Sequence, residues 1–203
     1  LNILLAALIL SGMIVLQNLS ILFRKTRMSF IALSQIIYAL FLSLPLKIPY
    51  TLQIRFKGFF YFLLIFAIMV FLGGVLKAEQ MRFYRKISFL DFLFIGVLLP
   101  VSEELIFRGA VLFLLPNTIL NAAIFSFLHL ANVLNKMERF SIFNFLYRFT
   151  VGYIFAYSVM STQSLFCPIL CHIINNSAGL LALSRSKHET EKSTDAAERK
   201  DGQ

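Results

Sequence analysis

The sequence predicts an all-α polytopic membrane bundle of about seven spans, and three observations carry that prediction. Hydrophobic residues make up 59% of the 203-residue chain and charged residues 14%, with a mean hydropathy of +0.79; about a quarter of an ordinary soluble domain is charged. Charged clusters break the apolar sequence into runs close to the roughly 20 residues that a helix needs to cross the hydrocarbon core. Lipid offers no partner to an open strand edge, so each run is read as a helix.

The first run, 1–23, is too long for a signal-peptide core and is read as a retained helix. The chain starts at Leu1 rather than Met, which leaves room for a few residues ahead of it. Runs at 28–46 and 58–76 follow, with Tyr50, Tyr61 and Tyr84 near run ends, where the ring suits the membrane–water interface. Residues 1–86 thus form an N-terminal group of transmembrane helices. The run 87–116 is too long for one straight crossing, and Pro100 removes a backbone donor in its middle, so a kink or break is expected at 99–102. Runs at 117–135, 140–160 and 163–184 complete a second bundle, residues 87–184. The remainder, 185–203, mixes five basic with five acidic residues and has little to bury, which predicts a disordered tail.

Orientation follows from the basic residues between runs. Arg24, Lys25, Arg27, Lys77, Arg82, Arg85, Lys86, Lys136, Arg139 and five Lys or Arg of the tail fall on one side, against Lys47, Arg55 and Lys57 on the other. The bias places the C-terminus in the cytoplasm. The net charge of +9 sits in these juxtamembrane loops, where anionic lipid is the natural partner; no folded soluble domain remains to bind nucleic acid. Cys167 and Cys171, one helical turn apart in an apolar run, suit packing better than a disulfide or a metal pair.

The segment "VSEELIFRGA" is the anomaly. A charge at the centre of a membrane helix costs roughly 2.5–3.5 kcal/mol even on the mildest scale, yet Glu103, Glu104 and Arg108 fall within six residues. Glu104 and Arg108 are four apart and can pair on one helix face. Glu103, about 100° round the helix, has no partner in its own segment. His129 and His172 are the only histidines within runs, each of a kind that packing alone often explains. Counted back from the outer helix ends at about 1.5 Å per residue, however, Glu103, His129 and His172 lie about 20, 18 and 14 Å deep, near one plane. Asn121, Phe125, His129 and Asn132 share a helical stripe, and Asn175 and Asn176 lie near His172, so each helix offers one wet face to the bundle. Two carboxylates, two imidazoles and a carboxamide at one depth point to a polar pocket suited to hydrolysis: a carboxylate takes a proton from water, one imidazole relays it, and the other with an amide holds the oxyanion.

"EELIFR" (Glu103, Glu104, Arg108), "FSFLH" (Phe125, His129) and "HIINN" (His172, Asn176) resemble, in order and each on its own helix, the E-E-x-x-x-R, F-x-x-x-H and H-x-x-x-N motifs of the CPBP intramembrane proteases. That family contains CAAX prenyl endopeptidases and bacteriocin-processing or immunity proteins, and the resemblance covers residues 87–184. It implies that Glu103, assisted by His129, activates water, that His172 and Asn176 stabilise the tetrahedral intermediate, and that Glu104, Arg108 and Phe125 support the pocket. It also leaves room for a divalent metal such as Zn²⁺ held by Glu103, His129 and His172, or for water activated by glutamate alone. The expected substrate is a peptide or membrane-protein terminus, and the expected setting a bacterial cell membrane. A non-catalytic immunity or scaffolding protein of the same fold is the alternative; a proton-coupled transporter would show inverted repeats or paired broken helices, and none is visible.

Overall fold

A computed structural model describes residues 1–23, 26–75, 87–134 and 138–201, with the side chains of 74–75 and 185–201 outside the description. The basic residues Arg24, Lys25, Lys77, Arg82, Arg85, Lys86 and Lys136, on which much of the orientation argument stands, lie outside the described residues, as does Tyr84. Among the described residues the chain is helical, with one isolated bridge between Thr51 and Ser164 and no strand.

Each apolar run of the sequence coincides with a helix or a nearly continuous pair of helices. These are α1 (Asn2–Leu19), α2 (Arg27–Leu46), α3 (Phe59–Val75), a composite α4 over 89–114, α5 (Thr118–Leu128), the short α6 (Leu130–Leu134), α7 (Ile142–Thr162) and α8 (Phe166–Asp201). By length and composition three stretches are fit to cross a membrane, Asn2–Leu22, Arg27–Leu46 and Phe166–Ser184, while Phe59–Gly73 and Thr118–Leu134 are shorter apolar helices. The backbone of α8 stays helical to Asp201, across residues for which the sequence predicts disorder.

Local chemistry sets the helix ends. Ser88 and Asp91 form a reciprocal capping box at the start of α4, satisfying two donors that the first turn would leave orphaned. Asn117 and Ser141 accept from Leu120 N–H and Asn144 N–H at the starts of α5 and α7. The left-handed residues Lys47 and Gln163 end α2 and α7, with φ of 45° and 55°. The connection 47–58 is tied to the α7–α8 turn: Thr51 N–H donates to Gln163 O at 2.9 Å, Leu165 N–H to Thr51 O at 2.8 Å and Ser158 Oγ to Lys57 O at 2.6 Å.

α4 is the hub, in contact with α1, α2, α5, α7 and α8. On one side Ile106, Phe107, Ala110 and Val111 pack with Ala6, Ile9 and Met13 of α1, Ala39 of α2 and Phe125 of α5. On another, Ile95 and Leu99 pack with Ile31 and Ala32 of α2 and Leu180 of α8. α3 packs through Phe62 against Phe155 of α7 and the Cys167–Cys171 turn of α8, and both cysteines are free and buried.

Of the kink or break expected at 99–102, a break does not occur: the backbone stays helical from 89 to 114. α4 is instead α-helical over Leu99–Glu104 between two π-helical stretches, Phe92–Leu98 and Leu105–Val111. At the end of the first stretch Leu99 N–H reaches five residues back to Phe94 O. In that register the next donor would be Pro100, which has no N–H, so the wider turn carries the chain past the proline and leaves the carbonyl of Ile95 open to a side chain. Single π turns of this kind recur where helices carry function.

Candidate active site

Consecutive residues on a helix diverge by about 100°, and that angle separates the two glutamates. Glu104 turns into the bundle, fully buried. Its Oε1 accepts from Arg108 Nη1 at 3.1 Å and lies 2.7 Å from His172 Nδ1. Glu103 turns to the cavity, with Oε2 3.5 Å from His172 Nε2 and 3.9 Å from His129 Nε2. The structure therefore brings Glu103, His129 and His172 together from α4, the α5–α6 turn and α8.

The second nitrogen of each imidazole fixes its role. His129 Nδ1 lies 2.8 Å from Phe125 O; a carbonyl only accepts, so Nδ1 carries the proton and neutral His129 presents its Nε2 lone pair towards Glu103. His172 Nδ1 likewise faces an acceptor, the Glu104 carboxylate, which leaves its Nε2 on the cavity side towards Glu103. Each ring is thus held in one orientation by a bond on the far side from the cavity.

Arg108 is buried without solvent contact. Besides Glu104 it donates from Nη2 to Gly152 O at 3.3 Å, and its guanidinium lies over Phe125 at 4.3 Å, Phe155 at 5.4 Å and Phe107 at 5.8 Å from the ring centroids. Aromatic faces attract a cation that has left water. Phe125 also touches both imidazoles, with centroids 4.4 Å from His129 and 5.9 Å from His172, so one ring sets the spacing of the cation and the two bases.

The cavity in front of these groups measures about 700 Å³. Its polar lining includes Glu103, His129, Asn132, Tyr147, His172, Asn175 and Asn176, with apolar walls from α1, α2, α3 and α4 such as Met13, Met28, Met69 and Leu99. At one margin Arg148 holds Glu138 through two bonds of 2.6 and 2.7 Å. Asn176 lines the cavity but turns its Nδ2 to Ile95 O at 3.3 Å, and no bond joins it directly to Glu103 or to either histidine. Asn121 departs from the stripe read in the sequence. It is buried away from the cavity and donates to Phe107 O at 2.8 Å, because that carbonyl lies in the second π stretch and has room for another donor.

Several residues of the site escaped sequence reasoning. Arg148 is a second arginine within an apolar run, and nothing in the sequence links it to Glu138. Gly152 is where α7 approaches closely: a Cβ there would lie 3.2 Å from Phe125 Cδ1, 3.3 Å from Ala122 Cα and 3.3 Å from Arg108 Nη2. Tyr147 donates to Asn175 Oδ1 at 2.5 Å, a partnership that crosses from α7 to α8 and leaves no trace in spacing.

Glu103, His129 and His172 supply donor types that suit a divalent ion. As placed, no group of three His, Cys, Asp or Glu side chains among the described residues is arranged to ligate one.

Residues 85–178 match the family model described as Type II CAAX prenyl endopeptidase Rce1-like. Over this segment the chain is similar to the CPBP/CAAX intramembrane proteases. The match runs from just before α4 into α8 and contains every polar group of the Glu103–His129–His172 cluster. That similarity and the helices long and apolar enough to cross a membrane support a membrane protein, and the matched family is one of CAAX-type endopeptidases. No curated protein and no solved structure matches the chain.

Proposed function

We propose that this protein cleaves a peptide bond at the membrane with a water molecule activated by Glu103. One observation carries the reading: the Glu103 carboxylate faces the Nε2 atoms of two imidazoles, each pinned through Nδ1, at the wall of a cavity large enough for a peptide segment.

The chemistry follows from the roles that the geometry allows. Water bound between Glu103 and His129 gives a proton to the carboxylate while its oxygen attacks the scissile carbonyl carbon. The negative charge that develops on the former carbonyl oxygen is met by donors on α8: His172, protonated at both nitrogens with Glu104 as counter-ion on Nδ1, donates from Nε2, and Asn176 donates an amide N–H. Glu103 then returns its proton to the leaving amine as the C–N bond breaks. Arg108 balances the charge of Glu104 and stays out of the reaction. No step is routed through a metal, since the three candidate ligands do not form a ligating set as placed; activity in the presence of a strong chelator, measured beside metal content, tests this point.

The substrate in this reading is a peptide or membrane-protein terminus of a bacterial membrane, entering between apolar walls, with the C-terminus of the protease in the cytoplasm and anionic lipid at its basic loops. In a cysteine-free background, cysteines at Gln53 and Ser193 should label from opposite faces of the membrane; labelling of both from outside would overturn that topology. The reaction itself is tested in membranes by cleavage with intact protein beside Glu103→Gln. The neutral amide keeps the shape of the side chain and cannot take the proton, so the variant should reach normal yield and lose processing. Equal processing by both removes the enzymatic reading.

A further inference from the structure

We infer that Tyr147 is a positioning residue for hydrolysis, fixing through Asn175 the carboxamide of Asn176; this rests on the proposed reaction. The arrangement originates at Pro100. Because proline has no N–H, the π-helical turn before it leaves Ile95 O without its backbone donor. Asn176 fills the gap, donating from Nδ2 at 3.3 Å. A carbonyl only accepts, so this end of the chain of bonds has a fixed polarity. Asn176 must present nitrogen to α4 and oxygen to its neighbour, and Asn175 Nδ2 donates to that oxygen at 3.3 Å.

Asn175 is thereby left with its own oxygen facing α7, where the Tyr147 hydroxyl donates to it at 2.5 Å. A phenol can donate or accept, but here the direction set at Ile95 obliges it to donate. Three helices are joined by a one-way relay, Tyr147 to Asn175 to Asn176 to Ile95. The Asn176 amide is held at both ends, and one N–H of its NH₂ group remains for the oxyanion. Without the phenol, Asn175 can rotate its amide, and the hold on Asn176 is lost.

Tyr147→Phe removes only the hydroxyl. It should lower kcat about tenfold, equivalent to about 1.4 kcal/mol, with KM within about twofold, as expected when only the transition state loses an interaction. Asn175→Ala should give a similar loss, and the two changes together should cost no more than either alone. On an Asn176→Ala background Tyr147→Phe should have no further effect, since the group it positions is gone. Full activity of Tyr147→Phe, a change confined to KM, or an equal loss with and without Asn176 would overturn the inference. Glu103→Gln measured alongside separates the two ideas: if it still processes substrate, the hydrolytic reading falls, whereas inactive Glu103→Gln with fully active Tyr147→Phe removes only the role of Tyr147.

Discussion

Between Phe59 and Val75, α3 carries no charged residue and leaves Phe60, Leu64 and Phe71 turned outward, at 78%, 60% and 70% exposure. Between residues 99 and 112, α4 exposes no side chain fully and buries Glu103, Glu104 and Arg108. The contrast shows what each environment demands. A helix facing lipid is satisfied by its own backbone ladder and an apolar surface. A helix carrying charge through the bundle must find an external partner for every ionised group, because an unpaired one away from water is costly. α4 finds them on α7 and α8, and its carbonyls at Ile95 and Phe107 accept from Asn176 and Asn121. The surrounding helices are thus fixed in register by hydrogen bonds, while α3, among the described residues, is held by packing.

The largest test of that difference is Arg108→Ala. Removing one partner of a buried pair leaves Glu104 uncompensated and costs about 3–5 kcal/mol, so folded yield and resistance to unfolding in detergent should both fall with activity. Glu103→Gln should lose activity at normal yield. A well-folded Arg108→Ala would mean that the pair does not brace the bundle.

Next in size is Asn176→Ala. In the proposed reaction it deletes an oxyanion donor, a loss of about 10²–10³ in turnover or roughly 2.7–4 kcal/mol, with substrate affinity little changed. Steady-state kinetics on one peptide, set beside Asn175→Ala, decide the point: the smaller loss belongs to Asn175, and the reverse ranking would shift the donor by one residue along α8.

Much of this was legible before any coordinates, and for a physical reason. Charges inside apolar runs are expensive, so Glu103, Glu104, Arg108, His129 and His172 stand out against the lipid-compatible background, and the same background marks out the helices themselves. What could not be read depends on which helix meets which. Pro100 announces a missing donor, but whether the chain breaks or widens into a π turn depends on Asn176 arriving from α8. Asn121 looked like a pocket residue from its stripe with His129, yet the carbonyl of Phe107 claims it. Gly152 is unremarkable in sequence because the atoms that require it belong to Arg108, Ala122 and Phe125 on other helices.

Gly152→Ala turns that last point into a measurement. The added methyl would press on Phe125, Ala122 and the Arg108 guanidinium at 3.2–3.3 Å, and overpacking of this kind costs about 1–3 kcal/mol. It should lower stability and, by displacing Arg108 from Glu104, activity as well. Unchanged unfolding would show that α5 and α7 can separate at no cost.

The same substitution on α3 should change sign. A Cβ at Gly73 meets nothing within 4 Å, so no neighbour has to move, and the residue lies in a helix whose order it weakens through its own conformational freedom. Replacing glycine by alanine in an open helical position gains roughly 0.5–1 kcal/mol by that argument. Gly73→Ala should therefore raise resistance to unfolding slightly, the smallest shift in the series. Thermal unfolding of Gly73→Ala and Gly152→Ala in one detergent isolates the comparison, because the change of side chain is identical and only the surroundings differ. If both destabilise to a similar extent, glycine matters in this bundle for a reason other than helix contact, and the division between a helix held by packing and one fixed by polar partners would lose its support.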